Sequence, residues 1–159
     1  MARLYLRRVE FHDSSTYLCG VMNLDIDNLI SDFELLDEWE DRYRHLIELG
    51  RAVPAMDDAL KTPSTKVMGC ASQVWIYSRV FDSDKGKQLF LQGDSDALIV
   101  KGLIAIVLMM FAPMTVSEII ACDAAAVFSK LGLKDHLTPQ RSNGLASMVA
   151  RIKSDAAAA

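Results

Sequence analysis

The chain has 159 residues, which suits one domain that buries roughly two thirds of the surface its unfolded form would expose. About half of the residues are hydrophobic, a quarter are charged and the formal net charge is -4, so the composition excludes a disordered protein. The mildly acidic balance also argues against nucleic acid as a partner.

The N-terminal segment differs from the rest of the chain. It contains Arg3, Arg7 and Arg8 but lacks the apolar core of roughly 7 to 15 residues that a secretory signal needs. We expect residues 1–21 to be a disordered extension or the product of an upstream start codon. Residues 22–159 are then expected to form a single domain.

The first half of that domain predicts helices followed by a hairpin. Apolar residues recur at helical spacing from Asp27, and Asp37 is the expected N-cap of a second helix that ends at Gly50. The proline-bearing segment 51–70 predicts a loop with a short turn at 56–60. After it, "SQVWIYSRVF" and "KQLFLQG", separated by "DSDKG", indicate a hairpin and a total of two or three strands.

The second half predicts further helices. Ser95 or Asp96 is the expected cap of a long helix, whose apolar run 102–114 is too short to span a bilayer and therefore indicates a buried core helix. A capping-box pattern at 115–118 and Thr-Pro at 138–139 predict two more helix starts. Helices, one hairpin and then helices again predict an α+β fold with helices packed on one face of a small antiparallel sheet.

The three cysteines form neither a disulfide framework nor a zinc pattern, and we expect a reducing, cytoplasmic setting without a metal. Cys122 lies among helical alanines and suits the core, while Cys19 lies in the extension. Cys70 follows Gly69 at the end of a loop, with Lys66 nearby. These features can expose a thiol and favour its thiolate, so the residues alone leave a reactive and a buried role open.

Other candidate groups are weaker. Asp94 and Asp96 in "QGDSDA" could serve acid chemistry or calcium, but two carboxylates beside a helix start are more often caps. Arg141 lies in the first turn of a helix, where the dipole disfavours a cation but the backbone donors attract an anion. The scattered histidines predict neither a metal site nor a Cys-His hydrolase; they are His12, His45 and His136.

Three blocks occur in a specific order: "WEDRYRHLIELGRAVPAMDDALKTPSTKVMGCASQVWI", "GDSDALIVKGLIAIV" and "HLTPQRSNGLASMVARI". With them the chain resembles the SufE family of cysteine desulfuration proteins, which includes CsdE and shares a fold with IscU-like scaffolds. The resemblance implies a sulfur acceptor without a cofactor of its own. Its implied partners are a SufS-like cysteine desulfurase, which it stimulates, and a SufBCD-like scaffold for iron-sulfur cluster assembly.

The resemblance also implies roles for three residues. Cys70 matches the persulfide acceptor, Arg141 is expected to stabilise charge there, and Asp96 is expected to orient the partners. We expect the loop to tuck Cys70 inward until a desulfurase docks. Such a protein is an accessory to transpersulfuration rather than a stand-alone enzyme, and the alternative function is an iron-sulfur cluster scaffold of IscU-like fold.

Overall fold

The computed structural model describes residues 25–159, so the predictions for residues 1–21, including Cys19 and His12, concern a part of the chain outside this range. The described residues form seven α-helices, one 3-10 turn and a two-stranded antiparallel sheet. In chain order these are α1 (Ile26–Leu35), α2 (Trp39–Ala52), the 3-10 turn (Asp58–Leu60), β1 (Val74–Ser83), β2 (Gly86–Ser95), α3 (Leu98–Phe111), α4 (Val116–Ala121), α5 (Ala124–Lys130), α6 (Leu133–His136) and α7 (Pro139–Ala157).

The hairpin forms as predicted. Val74 pairs with Ser95 and Ser83 with Gly86, and a two-residue turn at 84–85 joins the strands. Because α3 covers β2, the apolar residues of that strand are buried, and they are Leu89, Phe90 and Leu91. The predicted α+β fold is confirmed, with helices packed against a small antiparallel sheet.

The core lies around α3. Every residue from 102 to 111 is buried, which confirms the predicted core helix, and none of the helices in residues 25–159 has the length and apolarity needed to cross a membrane. The prediction of its cap was wrong. The helix begins after Ala97 without a side-chain cap. The Asp96 carboxylate instead accepts the Gln73 N–H, and the Ser95 hydroxyl accepts the N–H of Ala97, at 3.2 Å, which precedes the helix.

Two details of α2 also differ from the prediction. The helix begins after Glu38 rather than Asp37, and it continues past Gly50 to Ala52. Gly50 is buried where α2 crosses α3, and a Cβ there would overlap the carbonyl oxygen of Leu98. The glycine therefore permits close helix packing and does not terminate the helix.

The last helices begin as predicted. Thr115 and Glu118 form a reciprocal capping box, and Thr138 accepts the Arg141 N–H at 3.4 Å with Pro139 at the first helical position. One face of α7 packs against the core, and its buried apolar side chains include Leu145, Met148 and Ile152. The loop that carries Cys70 packs against the same helix.

Candidate functional site

Cys70 lies in a short loop between two fixed stems. We call residues 68–72 the Cys70 loop. On its N-terminal side the Val67 N–H donates to the Val74 carbonyl at 2.8 Å. No backbone hydrogen bond joins the Cys70 loop to another element within residues 25–159. The loop is therefore the part of this segment that can move at the lowest cost.

Asp96 holds the C-terminal stem. Its carboxylate accepts the Gln73 N–H at 3.0 Å, and its own N–H donates to the Gln73 carbonyl at 3.4 Å. Asp96 is exposed, so a partner could compete for it. It contacts the loop stem adjacent to the thiol and is not a helix cap.

The thiol rests on α7 because two glycines leave room for it. Gly69 has φ +88°, and a Cβ there would lie 2.8 Å from the Ser147 hydroxyl oxygen. The Cys70 S–H donates to the Gly144 carbonyl, with Sγ and O 3.7 Å apart. A Cβ on Gly144 would lie 3.4 Å from Sγ, so α7 offers the loop a surface of small residues.

A small cavity of about 30 Å³ lies beside the thiol. Its walls are largely apolar. Among the described residues that line it, Arg141 carries a formal charge. The other lining residues include Val100, Leu103, Gln140, Gly144 and Met148. The volume exceeds the 10 to 15 Å³ or so that one water molecule requires. It is small enough that only an atom or two could enter.

Burial raises the pKa of the Cys70 thiol, because an apolar setting disfavours the thiolate. Lys66, expected from the sequence to favour the thiolate, is exposed and pairs with Trp75 through its backbone. In this conformation Cys70 is therefore a partly buried thiol whose protonated form is favoured. A move to a more polar setting would favour the thiolate, which is the nucleophile.

Arg141 reaches the same cavity from the first turn of α7. Its Nη1 donates to the Tyr43 hydroxyl at 3.0 Å, and its guanidinium carbon lies 5.8 Å from the centre of the Tyr43 ring. The structure thus brings two predicted site residues, Cys70 and Arg141, to one cavity. Tyr43 was missed, because its helical spacing in the sequence indicated only that it belongs to α2.

Asp94 has a different role from the one the sequence indicated. It is 4% exposed and forms ion pairs with Lys61 at 3.1 Å and Lys101 at 3.3 Å. Burial alone would raise the pKa of Asp94, but the bonds from Lys61, the Ser95 and Met56 N–H groups and Lys101 outweigh it and lower the pKa. Asp94 therefore ties the segment before Cys70 to the hairpin and to α3.

A second contact holds that segment to α7. The Arg151 guanidinium donates to the Ser64 carbonyl at 2.6 Å and to Asp155 at 3.1 Å. Asp155 also accepts a hydrogen bond from Ser78 of β1 at 2.7 Å. The chain leading to the Cys70 loop is thus fixed from several sides, whereas the loop itself is attached to α7 through the weak hydrogen bond of the Cys70 thiol.

A larger groove, of about 540 Å³, lies elsewhere, between α5, α6 and α7. Cys122 lines this groove, and burial raises the pKa of that thiol as well. Its walls are mainly apolar, and neither Cys70 nor Arg141 lines it. We therefore take the smaller cavity beside Cys70 as the candidate site. Within residues 25–159, no group of three or more His, Cys, Asp or Glu side chains could hold a metal ion.

Comparison with known proteins is consistent with this geometry. A family model described as "SufE: Fe-S metabolism associated domain" matches residues 27–156. An uncharacterized SufE-like protein of Rhizobium etli is 51% identical over 131 residues, which cover 82% of this chain and 88% of the relative. One from Rhizobium meliloti is 50% identical over 131 residues, covering 82% of this chain and 94% of the relative.

The fold is shared with a solved structure. The solution structure of a hypothetical protein from Thermus thermophilus aligns with a TM-score of 0.67 at 17% identity. The alignment covers 84% of this chain and 93% of that one. At this identity the similarity shows the fold alone.

Proposed function

Because the chain belongs to the SufE family, whose members serve sulfur transfer in iron-sulfur metabolism, we propose that Cys70 is the residue that carries the sulfur. Family membership also implies interaction with a cysteine desulfurase. The observation that carries the proposal is the placement of Cys70. Within residues 25–159 it lies in a loop without backbone hydrogen bonds to other elements, beside a cavity that Arg141 also lines.

The proposed reaction is a transpersulfuration. The Cys70 thiolate attacks the outer sulfur of a persulfide on the desulfurase, a new sulfur-sulfur bond forms at Cys70, and the sulfur-sulfur bond of the donor breaks. The desulfurase cysteine leaves as a thiolate and can take up the proton that Cys70 released. Sulfur is neither oxidised nor reduced overall, so the step needs no redox partner, in the manner of thiol-disulfide exchange.

The resting structure supports a closed state that the partner opens. In the closed state the raised pKa keeps Cys70 protonated, which protects the thiol from adventitious electrophiles. Met68, the first residue of the loop, is 77% exposed and offers an apolar contact to a partner. Docking of the desulfurase would draw the loop outward and return the thiol to an ordinary pKa of about 8.5.

Arg141 and Asp96 have separate roles in this proposal. The Arg141 guanidinium provides positive charge where the thiolate, and later the persulfide anion, develops. Asp96 fixes the stem at Gln73 and so controls how far the loop opens toward the partner. Delivery of the sulfur to a SufBCD-like scaffold in the cytoplasm completes the proposed route.

The deciding experiment maps the sulfur. The protein is incubated with a SufS-like desulfurase and isotopically labelled cysteine, then digested without reductant and analysed by mass spectrometry. We expect a gain of one sulfur on the Cys70 peptide and none on the Cys122 peptide. Cys70→Ser should abolish both labelling and stimulation of the desulfurase, while Cys122→Ser should retain them; undiminished stimulation by Cys70→Ser would contradict the proposal.

Arg141 is tested in the same assay. Arg141→Ala should slow sulfur uptake at saturating desulfurase without unfolding the domain, whereas Arg44→Ala removes a guanidinium from the exposed surface of α2 and serves as the control. Equal uptake rates for Arg141→Ala and the wild type would exclude the proposed role.

The alternative of a cluster scaffold has less support from the geometry. Cluster ligation needs several thiolates close together, whereas Cys70 and Cys122, the cysteines of residues 25–159, line different cavities. Anaerobic reconstitution with iron and sulfide tests it directly. Visible absorbance that requires Cys70 would favour the scaffold.

A further inference from the structure

Arg141 needs a partner that fixes its side chain. It emerges from the first turn of α7, where the helix dipole disfavours a cation. An arginine side chain also has many rotamers, and ordering it costs conformational entropy. No carboxylate forms a salt bridge with it in the described structure. Arg141 lines the cavity, and among the described residues a contact other than an ion pair must therefore fix its side chain there.

Tyr43 supplies two contacts that meet this need. Its hydroxyl oxygen accepts a hydrogen bond from Arg141 Nη1 at 3.0 Å, and the guanidinium carbon lies 5.8 Å from the centre of the ring. The first contact fixes a direction, and the second is within the range of a cation–π interaction. Tyr43 is 98 positions away in the chain, so the pairing depends on how α2 packs beside α7.

Tyr43 is itself held in place by its neighbours. The Trp39 ring meets it edge to face with centroids 5.2 Å apart, and Trp39 stacks on His136 at 4.3 Å. The Tyr43 hydroxyl also donates to the His136 carbonyl at 3.5 Å. The buried Trp39 Nε1 has no hydrogen-bond partner among the described residues, so this ring contributes packing rather than a polar contact. A chain of aromatic contacts thus extends from the end of α6 to Arg141.

We propose that Tyr43 is a positioning residue for sulfur transfer, which acts by holding the Arg141 guanidinium at the Cys70 cavity. This inference rests on the proposed function of Cys70 and Arg141 and adds a residue to it. Its physical basis is preorganisation, since a charge already in place when the thiolate and the persulfide form contributes more than one that must first be ordered. Tyr43 itself does not contact Cys70 in any of the described interactions.

Tyr43→Phe is the informative variant, because it keeps the ring and removes only the hydroxyl. We expect sulfur uptake at saturating desulfurase to fall about tenfold, in line with one hydrogen bond to a charged group. The desulfurase concentration at half-maximal rate should not change, and the melting temperature should stay near that of the wild type. Tyr77→Phe on β1 is the matched control and should transfer sulfur at the wild-type rate.

The double variant separates positioning from a merely structural effect. If Tyr43 acts through Arg141, then Tyr43→Phe should cause no further loss in an Arg141→Ala background. The pH profile of uptake should also shift to higher pH in Tyr43→Phe, and this shift should be absent when Arg141 is already alanine. A full tenfold loss in both backgrounds would overturn the inference, as would wild-type rates for Tyr43→Phe.

Failure of this inference can be told apart from failure of the proposed function. If wild-type Cys70 acquires no sulfur, the function itself is wrong and Tyr43 has nothing to position. If Cys70 acquires sulfur and Arg141→Ala slows it but Tyr43→Phe does not, then the carrier role stands and only the inference falls.

Discussion

Gly144 is the position where the closed state of the Cys70 loop can be tested without changing the thiol. An alanine Cβ there would lie 3.4 Å from Sγ and 3.7 Å from the Cys70 Cβ, which is a tolerable contact. A valine adds a further carbon about 1.5 Å beyond the Cβ, and directed at the thiol it would reduce that gap to roughly 2 Å. Gly144→Val must therefore displace either α7 or the loop.

The energies favour displacement of the loop. Overpacking in a core costs about 1 to 3 kcal/mol, and α7 carries buried side chains at Leu145, Met148 and Ile152. Unseating the loop loses the burial of one thiol and a weak S–H bond, about 1.5 kcal/mol together. This cost lies toward the lower end of the range for overpacking, so we expect the loop to open. Gly144→Ala, in contrast, should keep the loop closed and raise the free energy of unfolding by up to about 1 kcal/mol through helix propensity.

The assay is alkylation of Cys70 by iodoacetamide at pH 7.5 without desulfurase, followed by peptide mass spectrometry so that the other cysteines do not interfere. An opening free energy near 1.5 kcal/mol corresponds to about tenfold protection in the closed state. We therefore expect Gly144→Val to react about tenfold faster than Gly144→Ala. Equal rates in the two variants would refute the idea that α7 holds the thiol in a closed, low-cost position.

Three further predictions concern the stems and the charges. For Asp94→Asn, we expect the free energy of unfolding, measured by urea titration, to fall by about 2 kcal/mol at pH 7. The lowered pKa of Asp94 contributes stability above the unfolded value of about 3.9, so this difference should shrink below pH 4; a constant difference would contradict it. Asp96→Ala should speed Cys70 alkylation while Asp96→Asn, which retains an oxygen acceptor, should not; similar rates would exclude the stem bond to Gln73. Because burial raises the pKa of Cys70, the seated thiol is stabilised below the ordinary value of about 8.5 and loses that stabilisation as pH rises above it. The alkylation midpoint should therefore lie above 8.5 in the resting protein, and a midpoint below 8.5 would reverse the argument.

Local features of the fold were predictable because short-range chemistry determines them. The hairpin follows from β-branched and aromatic runs around a polar turn, and the helix starts at Thr115 and Thr138 follow from capping residues. The helix terminus at Gly50 was predicted wrongly for a physical reason. Glycine ends helices when a left-handed residue is needed, but here it permits the approach of α3, which no local pattern reveals.

The candidate site was predictable only in part. The loop context made Cys70 a candidate with a buried role still open, and the family resemblance pointed to Cys70, Arg141 and Asp96 as site residues. The sequence missed Tyr43, because its contact with Arg141 joins residues 98 positions apart. It also misjudged the electrostatics of the thiol, since a lysine four positions before the cysteine says nothing about burial, and burial raises the Cys70 pKa. Buried charge and cavity walls arise from the packing of several segments.

The hydrogen bond between Val67 and Val74 also limits how far the Cys70 thiol can extend from the domain. If this stem stays closed while the thiol works, only Met68, Gly69 and Cys70 separate the anchor from the sulfur. Three residues extend at most about 10 Å. A donor cysteine must then lie no deeper than that beneath the surface of any protein that passes sulfur to this chain, so the length of the tether selects shallow active-site entrances and excludes deep ones.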